Sequence, residues 1–163
     1  KMQLSEDSDF TLHYLMHCSR ISISDTIFYH YSIDNESTMR SNADKKVLQY
    51  IEAMNITSKY IEKQHENVQL AFNDYILMHL NIACVRGIFC VNNKENYVKK
   101  IEHIKKIINT PVFKDAIKKF HIKNNFSART LPVFFMKYKL VHIASIIYIV
   151  RAYQNYIYEK SRN

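Results

Sequence analysis

Three carboxylates lie close together near the start of the sequence, at Glu6, Asp7 and Asp9. A carboxylate can act as a general base and remove the proton from an attacking hydroxyl group. Phe10, Tyr14 and the apolar residues between them recur at three- and four-residue spacing, so a helix is predicted to begin at this cluster. Carboxylates also cap helix N-termini, where free N–H groups carry partial positive charge. Catalysis and capping are both compatible with the cluster, because one acid can cap while its neighbour stays open.

The acids are positioned by a short helix and a strand. The helix is predicted over residues 9–19, after which Ser24 and Asp25 turn the chain into a strand over residues 26–33. A strand needs a neighbour, because unpaired backbone groups are costly. We therefore expect the rest of its sheet in sequence upstream of Lys1 or in a partner chain.

The order of these parts resembles the end of the catalytic domain in family 2 glycosyltransferases of the GT-A fold, the bacterial type that builds surface polysaccharides and teichoic acids. In that family a Glu-Asp pair opens a helix like SEDSDFTLHYLMHCSR, and two short strands and a polar turn follow. The corresponding parts here read ISI, TIFYHYSI and DNESTMRS. The resemblance is good over roughly the first forty residues and general over the helical remainder.

The resemblance implies roles for five residues of this segment. Asp7, the second acid of the pair, corresponds to the catalytic base, with Glu6 beside it and Asp9 as a substrate contact or another holder of that role. His30 would approach the diphosphate or a divalent metal, and Arg40 would reach a diphosphate oxygen. His30 could equally be a packing residue of the strand, and Arg40 an exposed turn residue.

The resemblance also implies a nucleotide-sugar donor and a divalent metal, Mn or Mg, bound mainly by residues upstream of Lys1. The acceptor would be a glycan or a lipid-linked glycan. The triplet Asp7-Ser8-Asp9 has the spacing of the metal-binding DxD motif of GT-A enzymes. The helix and strand that follow the triplet instead mark the later, acceptor-side motif.

Composition favours helices and a reducing compartment. Tight turns and phosphate-binding loops are rich in glycine and proline, and the chain has one Gly and two Pro. Cys18, Cys84 and Cys90 show no CxxC spacing, which is typical of free thiols in the cytosol. His13 and His17 have the four-residue spacing of two zinc ligands, but no third ligand accompanies them, so we do not expect zinc.

Charge is unevenly spread along the chain, whose net charge is +8. Residues 1–90 hold 8 basic and 11 acidic side chains, whereas residues 91–163 hold 15 and 4. Such a basic half favours an anionic partner such as phospholipid, a phosphorylated lipid carrier or nucleic acid, although a solvated helical face has the same pattern. No apolar run reaches the eighteen or so residues of a membrane span.

Hydrophobic spacing predicts helices over residues 42–64, 66–90, 94–109, 111–121 and 132–160. The second is apolar around most of its circumference and should be central. The last is apolar from Leu140 to Val150 and is bracketed by Lys137, Lys139 and Arg151. That pattern is typical of a core helix and also of a helix at an anionic membrane surface.

Together these patterns predict a mainly α protein, with a multi-helix domain preceded by a short helix-strand remnant of a GT-A α/β domain. Residues 1–41 would end the catalytic domain, and residues 42–163 would form a helical domain that binds acceptor, membrane or a second copy. The protein would be cytoplasmic and peripheral on the inner face of the cell membrane, and this piece alone would be inactive. The alternative is a basic helical interaction module without catalysis. Nucleic acid is the less favoured partner, because such a module leaves the acidic and YHY segments unexplained.

Overall fold

The structure, a computed structural model, describes residues 6–27, 43–122 and 127–161. Within these ranges the chain forms seven α-helices and one π-helical segment. In chain order they are α1 (Glu6–His17), α2 (Ala43–Ile61), α3 (Glu66–Ile82), the π-helical segment (Ala83–Ile88), α4 (Tyr97–Ile108), α5 (Pro111–Lys119), α6 (Leu131–Lys137) and α7 (Val141–Lys160). The prediction of a mainly α protein is confirmed.

The strand expected after α1 is not seen in the described residues. Residues 18–27 form neither helix nor strand, and Ile21, Ile23 and Ile27 are 63%, 95% and 75% exposed. These residues have no neighbouring strand in the described part of the chain, so their backbone has no ladder to join. Most of the predicted strand, and the predicted domain boundary near Ser41, lie outside the described residues.

The core is built around α3 and the π-helical segment, as the apolar character of this stretch predicted. Leu80, Cys84 and Ile88 are buried, and the π-helical segment contacts α2, α3, α4 and α7. The prediction of one α-helix over residues 66–90 is wrong at its end, where the turns widen: the Phe89 N–H donates to the Cys84 carbonyl oxygen at 2.8 Å. Burial raises the pKa of the Cys84 thiol to about 12, so the thiol is a neutral packing group.

Helices α4 and α5 present a basic surface over an apolar one. Asn96 caps α4 by accepting a hydrogen bond from the Lys99 N–H at 2.9 Å, and Pro111 begins α5, where its missing N–H is not needed. The buried side chains recur at helical spacing. They are Ile101, Ile104, Ile107, Phe113, Ala116 and Ile117. The exposed lysines lie on the other sides of the two helices and are Lys99, Lys105, Lys106, Lys114, Lys118 and Lys119.

The single last helix predicted over residues 132–160 is wrong, because the chain forms two helices there. Lys139, between them, adopts the left-handed conformation with φ 62°. Its N–H donates to the Met136 carbonyl oxygen, and the Leu140 N–H donates to the Phe135 carbonyl oxygen, both at 2.9 Å. This pair of bonds is a Schellman motif, which ends α6. Glycine is the usual residue at the left-handed position of that motif. Because a lysine occupies it here, no signal in the sequence indicated a helix end.

Candidate functional site

The candidate site begins at α1, whose first turn carries the acidic cluster. The helix starts at Glu6, three residues before the predicted start, so the acids lie inside the first turn. Asp7 is exposed, and the described residues make no hydrogen bond or ion pair to its carboxylate. Its carbonyl oxygen accepts a hydrogen bond from the Thr11 hydroxyl at 2.7 Å, within the helix. The Glu6 side chain lies outside the described side chains.

Asp7 and Asp9 lie on different faces of α1, because residues two positions apart in an α-helix are separated by roughly 200° about the helix axis. Asp9 shares the inner face with Leu12, which packs against the core. Asp7 shares the outer face with Phe10 and Tyr14, which are 69% and 62% exposed. The centroids of these two rings are 6.0 Å apart, and the rings stack. The outer face thus combines an open carboxylate with an exposed aromatic pair.

Asp9 attaches α1 to α2. The buried Thr57 hydroxyl donates a hydrogen bond to Asp9 Oδ1 at 2.6 Å. On α1 itself, His13 Nδ1 lies 2.8 Å from the Asp9 carbonyl oxygen and 3.4 Å from Oδ2. The His13 ring packs on Tyr60 of α2, with the centroids 4.1 Å apart. Because hydrogen bonds to a carboxylate are stronger than those between neutral groups, Asp9 is held in place, whereas Asp7 is open to solvent.

Helix α3 supports the same end of α1 through Tyr75, which lies beside Ser8 and Asp9. Burial raises the pKa of Tyr75, the Ser8 side chain lowers it and the Asp9 carboxylate raises it. The centroids of the Tyr75 and His79 rings are 4.2 Å apart. Burial lowers the pKa of His79, and its contact with the Tyr75 carbonyl oxygen raises it. Tyr75 is therefore a neutral phenol at pH 7.

Sequence reasoning missed Thr57, Tyr60 and Tyr75 as partners of the acidic helix. Thr57 is 48 positions away from Asp9 in the chain, and no motif links the two. The available signal was modest: Thr57 follows Met54 by three residues on the buried stripe of α2, where a polar side chain needs a partner.

His13 and His17, four residues apart on α1, both contact the backbone of their own helix. His13 Nδ1 and His17 Nδ1 each lie 2.8 Å from a backbone carbonyl oxygen one turn earlier. In the part of the chain that the structure describes, no group of three or more His, Cys, Asp or Glu side chains could hold a metal ion. The divalent metal implied by the resemblance stays a prediction. His30 and Arg40 lie outside the described residues.

The three basic residues predicted to face a membrane or a partner have different surroundings. Lys137 Nζ donates to the Phe120 carbonyl oxygen after the end of α5, and Arg151 Nη1 donates to Asn81 Oδ1 at 3.2 Å. Both side chains therefore bond within the protein. Lys139 is exposed. Of the three basic residues, Lys139 is therefore the one whose side chain is exposed for contact with a membrane or a partner.

Comparisons with protein-family models, with curated proteins and with solved structures found no match. Among the described helices, none is long and apolar enough to cross a membrane. Function is therefore inferred from the residues of α1, from their contacts and from the outer surfaces of the helical domain.

Proposed function

We propose that this chain is the C-terminal part of an inverting family 2 glycosyltransferase, in which Asp7 removes the proton from the acceptor hydroxyl. The observation that carries the proposal is the difference between two acids of one helix. Asp7 is exposed and unbonded among the described residues, whereas Asp9 accepts the Thr57 hydrogen bond. A general base needs an open carboxylate on a fixed support. Asp7 supplies the carboxylate, and Asp9 fixes the helix that carries it.

The proposed reaction moves a sugar from a nucleotide sugar to an acceptor hydroxyl. The acceptor oxygen attacks the anomeric carbon from the side opposite the diphosphate. The bond between that carbon and the diphosphate oxygen breaks, and its electron pair leaves with the nucleoside diphosphate. The hydroxyl proton passes to the Asp7 carboxylate. Attack from the opposite side inverts the configuration at the anomeric carbon.

The outer face of α1 suits a glycan or lipid-linked glycan acceptor. A sugar presents C–H groups on the faces of its ring and hydroxyl groups at the edge. The exposed rings of Phe10 and Tyr14 lie on the same helix face as Asp7. A sugar ring that stacks on Phe10 and Tyr14 would direct its hydroxyl groups toward the Asp7 carboxylate. Glu6, at the helix start, would add a second acid.

The donor and a divalent Mn or Mg ion are assigned mainly to residues that precede this chain. When bound, the ion would neutralise charge on the diphosphate leaving group. His30 and Arg40 are proposed as further diphosphate contacts, with His30 also a candidate metal ligand, on the strength of the YHY and turn motifs. A nucleotide-sugar donor would place the reaction in the cytoplasm, at the inner face of the cell membrane if the acceptor is lipid-linked.

Asp7→Asn in the full-length protein tests the proposal. Asparagine keeps the size of the side chain but is a far weaker proton acceptor, so the transfer rate should fall about 100-fold or more. The melting temperature should stay unchanged, because Asp7 is exposed. Release of nucleoside diphosphate from a panel of nucleotide sugars measures the rate. Asp25→Asn is the matched control, since Asp25 is an exposed acid outside α1 and should keep the wild-type rate. An Asp7→Asn enzyme that keeps more than about a tenth of the rate would place the base elsewhere.

The alternative, a basic interaction module without catalysis, is favoured by the exposed lysines of α4 and α5. It predicts that no nucleotide sugar raises the melting temperature of the full-length protein, whereas a bound donor would raise it. It also predicts oligonucleotide binding that weakens steeply with salt, as counterion release requires. Both results together would replace the glycosyltransferase proposal.

A further inference from the structure

Helix α7 is apolar on two opposite faces. The inner face is buried and includes Ala144, Tyr148 and Ala152. The outer face follows a line of three- and four-residue spacing, so its members all point away from the core. These residues, the α7 outer stripe, are Ile143, Ile146, Val150, Tyr153 and Ile157, and each is between 42% and 60% exposed.

The α7 outer stripe runs along most of the helix. From Ile143 to Ile157 it is roughly 21 Å long, at 1.5 Å per residue. The stripe adjoins α4 on one side, where the Tyr97 hydroxyl lies 3.0 Å from His142 Nδ1 on α7 and Tyr97 lines the same pocket as Tyr153. Continuous apolar patches beyond a few hundred Å² usually mark a binding surface for a protein or a membrane.

Both ends of the stripe are basic. Lys139 is exposed four residues before Ile143, and Lys160 is exposed three residues after Ile157. Glu159 is the one acidic residue from position 139 to position 160. It follows Tyr148 by about three turns and so continues the line of the inner face, away from the stripe. An apolar surface with two basic ends is complementary to a partner that is apolar inside and anionic at its edge.

A second copy of the chain meets this requirement poorly. In an antiparallel pair of α7 helices centred on Val150, Ile143 of one copy faces Ile157 of the other, and Lys139 approaches Lys160. In a parallel pair each lysine approaches its own counterpart. Either symmetric arrangement brings like charges together, and the stripe offers no acid to neutralise them.

We propose that α7 docks on an anionic phospholipid bilayer through the α7 outer stripe, with the helix lying in the plane of the surface. The apolar side chains enter the boundary between headgroups and acyl chains, and Lys139 and Lys160 meet anionic headgroups. Tyr138 and Tyr158, 60% and 61% exposed, lie at the two ends, where aromatic residues favour the interface. This surface is independent of the proposed glycosyl transfer.

Co-sedimentation of the full-length protein with vesicles tests the docking surface. We expect binding to vesicles of equal parts phosphatidylcholine and phosphatidylglycerol at low salt, and weaker binding to phosphatidylcholine alone or at high salt. The double variant Ile146→Asp, Val150→Asp should lower the bound fraction about tenfold or more, because it places two anions in the apolar stripe. Lys139→Glu with Lys160→Glu should abolish the preference for phosphatidylglycerol.

The control is Leu70→Asp, which introduces the same acid at a 55% exposed leucine on α3 and should bind vesicles as the wild type does. All changed positions are exposed, so circular dichroism should show intact helices. Full vesicle binding by the stripe variant would overturn the proposal. Absence of vesicle binding, together with a dimer in sedimentation velocity that the stripe variant dissociates, would show that a second copy is the occupant.

Discussion

Helices α1 and α7 attach to the same core by different forces. α1 is held at its acidic end by polar and ring contacts, chiefly the Thr57 hydrogen bond to Asp9 and the packing of His13 on Tyr60. α7 is held by close packing, with Ala144 and Tyr148 fully buried. α1 therefore adds directional contacts to the partial burial of Leu12 and Met16, whereas α7 relies mainly on buried apolar area.

The difference matches what each helix presents to the outside. A hydrogen bond is directional, so the Asp9 contact fixes the rotation of α1 about its axis and keeps Asp7 outward. Burial of apolar surface is non-directional and proportional to area, so the inner face of α7 holds the helix firmly whatever its outer face carries. The outer face is thus available for a second apolar contact.

The largest effect is expected from Tyr148→Ala on the inner face of α7. Loss of a fully buried aromatic ring leaves a cavity and should lower the free energy of unfolding by about 3–5 kcal/mol. Tyr153→Ala, the same substitution on the outer face, should change it by less than about 0.5 kcal/mol, because Tyr153 is 57% exposed. Urea unfolding of both variants measures the difference. Equal losses would contradict the assignment of one packed and one free face.

A smaller, local effect is expected from Thr57→Val. Valine fills the same space without the hydroxyl, so Asp9 loses its hydrogen bond to α2 and α1 should detach more often. A hydrogen bond to a charged group is worth about 2 kcal/mol, so the α1 amides should exchange with solvent about tenfold faster or more. Thr57→Ser, which keeps the hydroxyl, should retain protection. If valine leaves α1 exchange unchanged, the polar contact does not hold the helix.

The smallest effect, of opposite sign, is expected from Lys139→Gly. Glycine adopts the left-handed conformation without the clash of a Cβ atom, so the variant should be more stable by about 1 kcal/mol. Lys105→Gly, the same substitution in the last turn of α4, should cost up to about 1 kcal/mol, because glycine weakens helices. Thermal unfolding of the pair measures both shifts. A destabilised Lys139→Gly would mean that the lysine side chain itself supports the turn before α7.

Much of the helical fold could be predicted from local pattern. The isoleucines at 101, 104 and 108 and the proline at 111 placed α4 and α5 closely, because helical periodicity and start signals act within a few residues. The acidic cluster was likewise correctly placed at the start of a helix. The break at Lys139 could not be predicted, because its cause is a left-handed backbone conformation that glycine usually adopts and lysine rarely does.

The sequence by itself determined where most of the helices lie and that acids open the first of them, since spacing and charge are local properties. Only the tertiary structure decided which acid is open. Asp7 and Asp9 have the same chemistry, and they differ because Thr57, 48 positions away, is brought against one of them. Lys137 and Arg151 likewise proved to bond within the protein, whereas Lys139 is exposed. The physical reason is common to these cases: the partner of a polar side chain depends on contacts between distant segments, which no local pattern encodes.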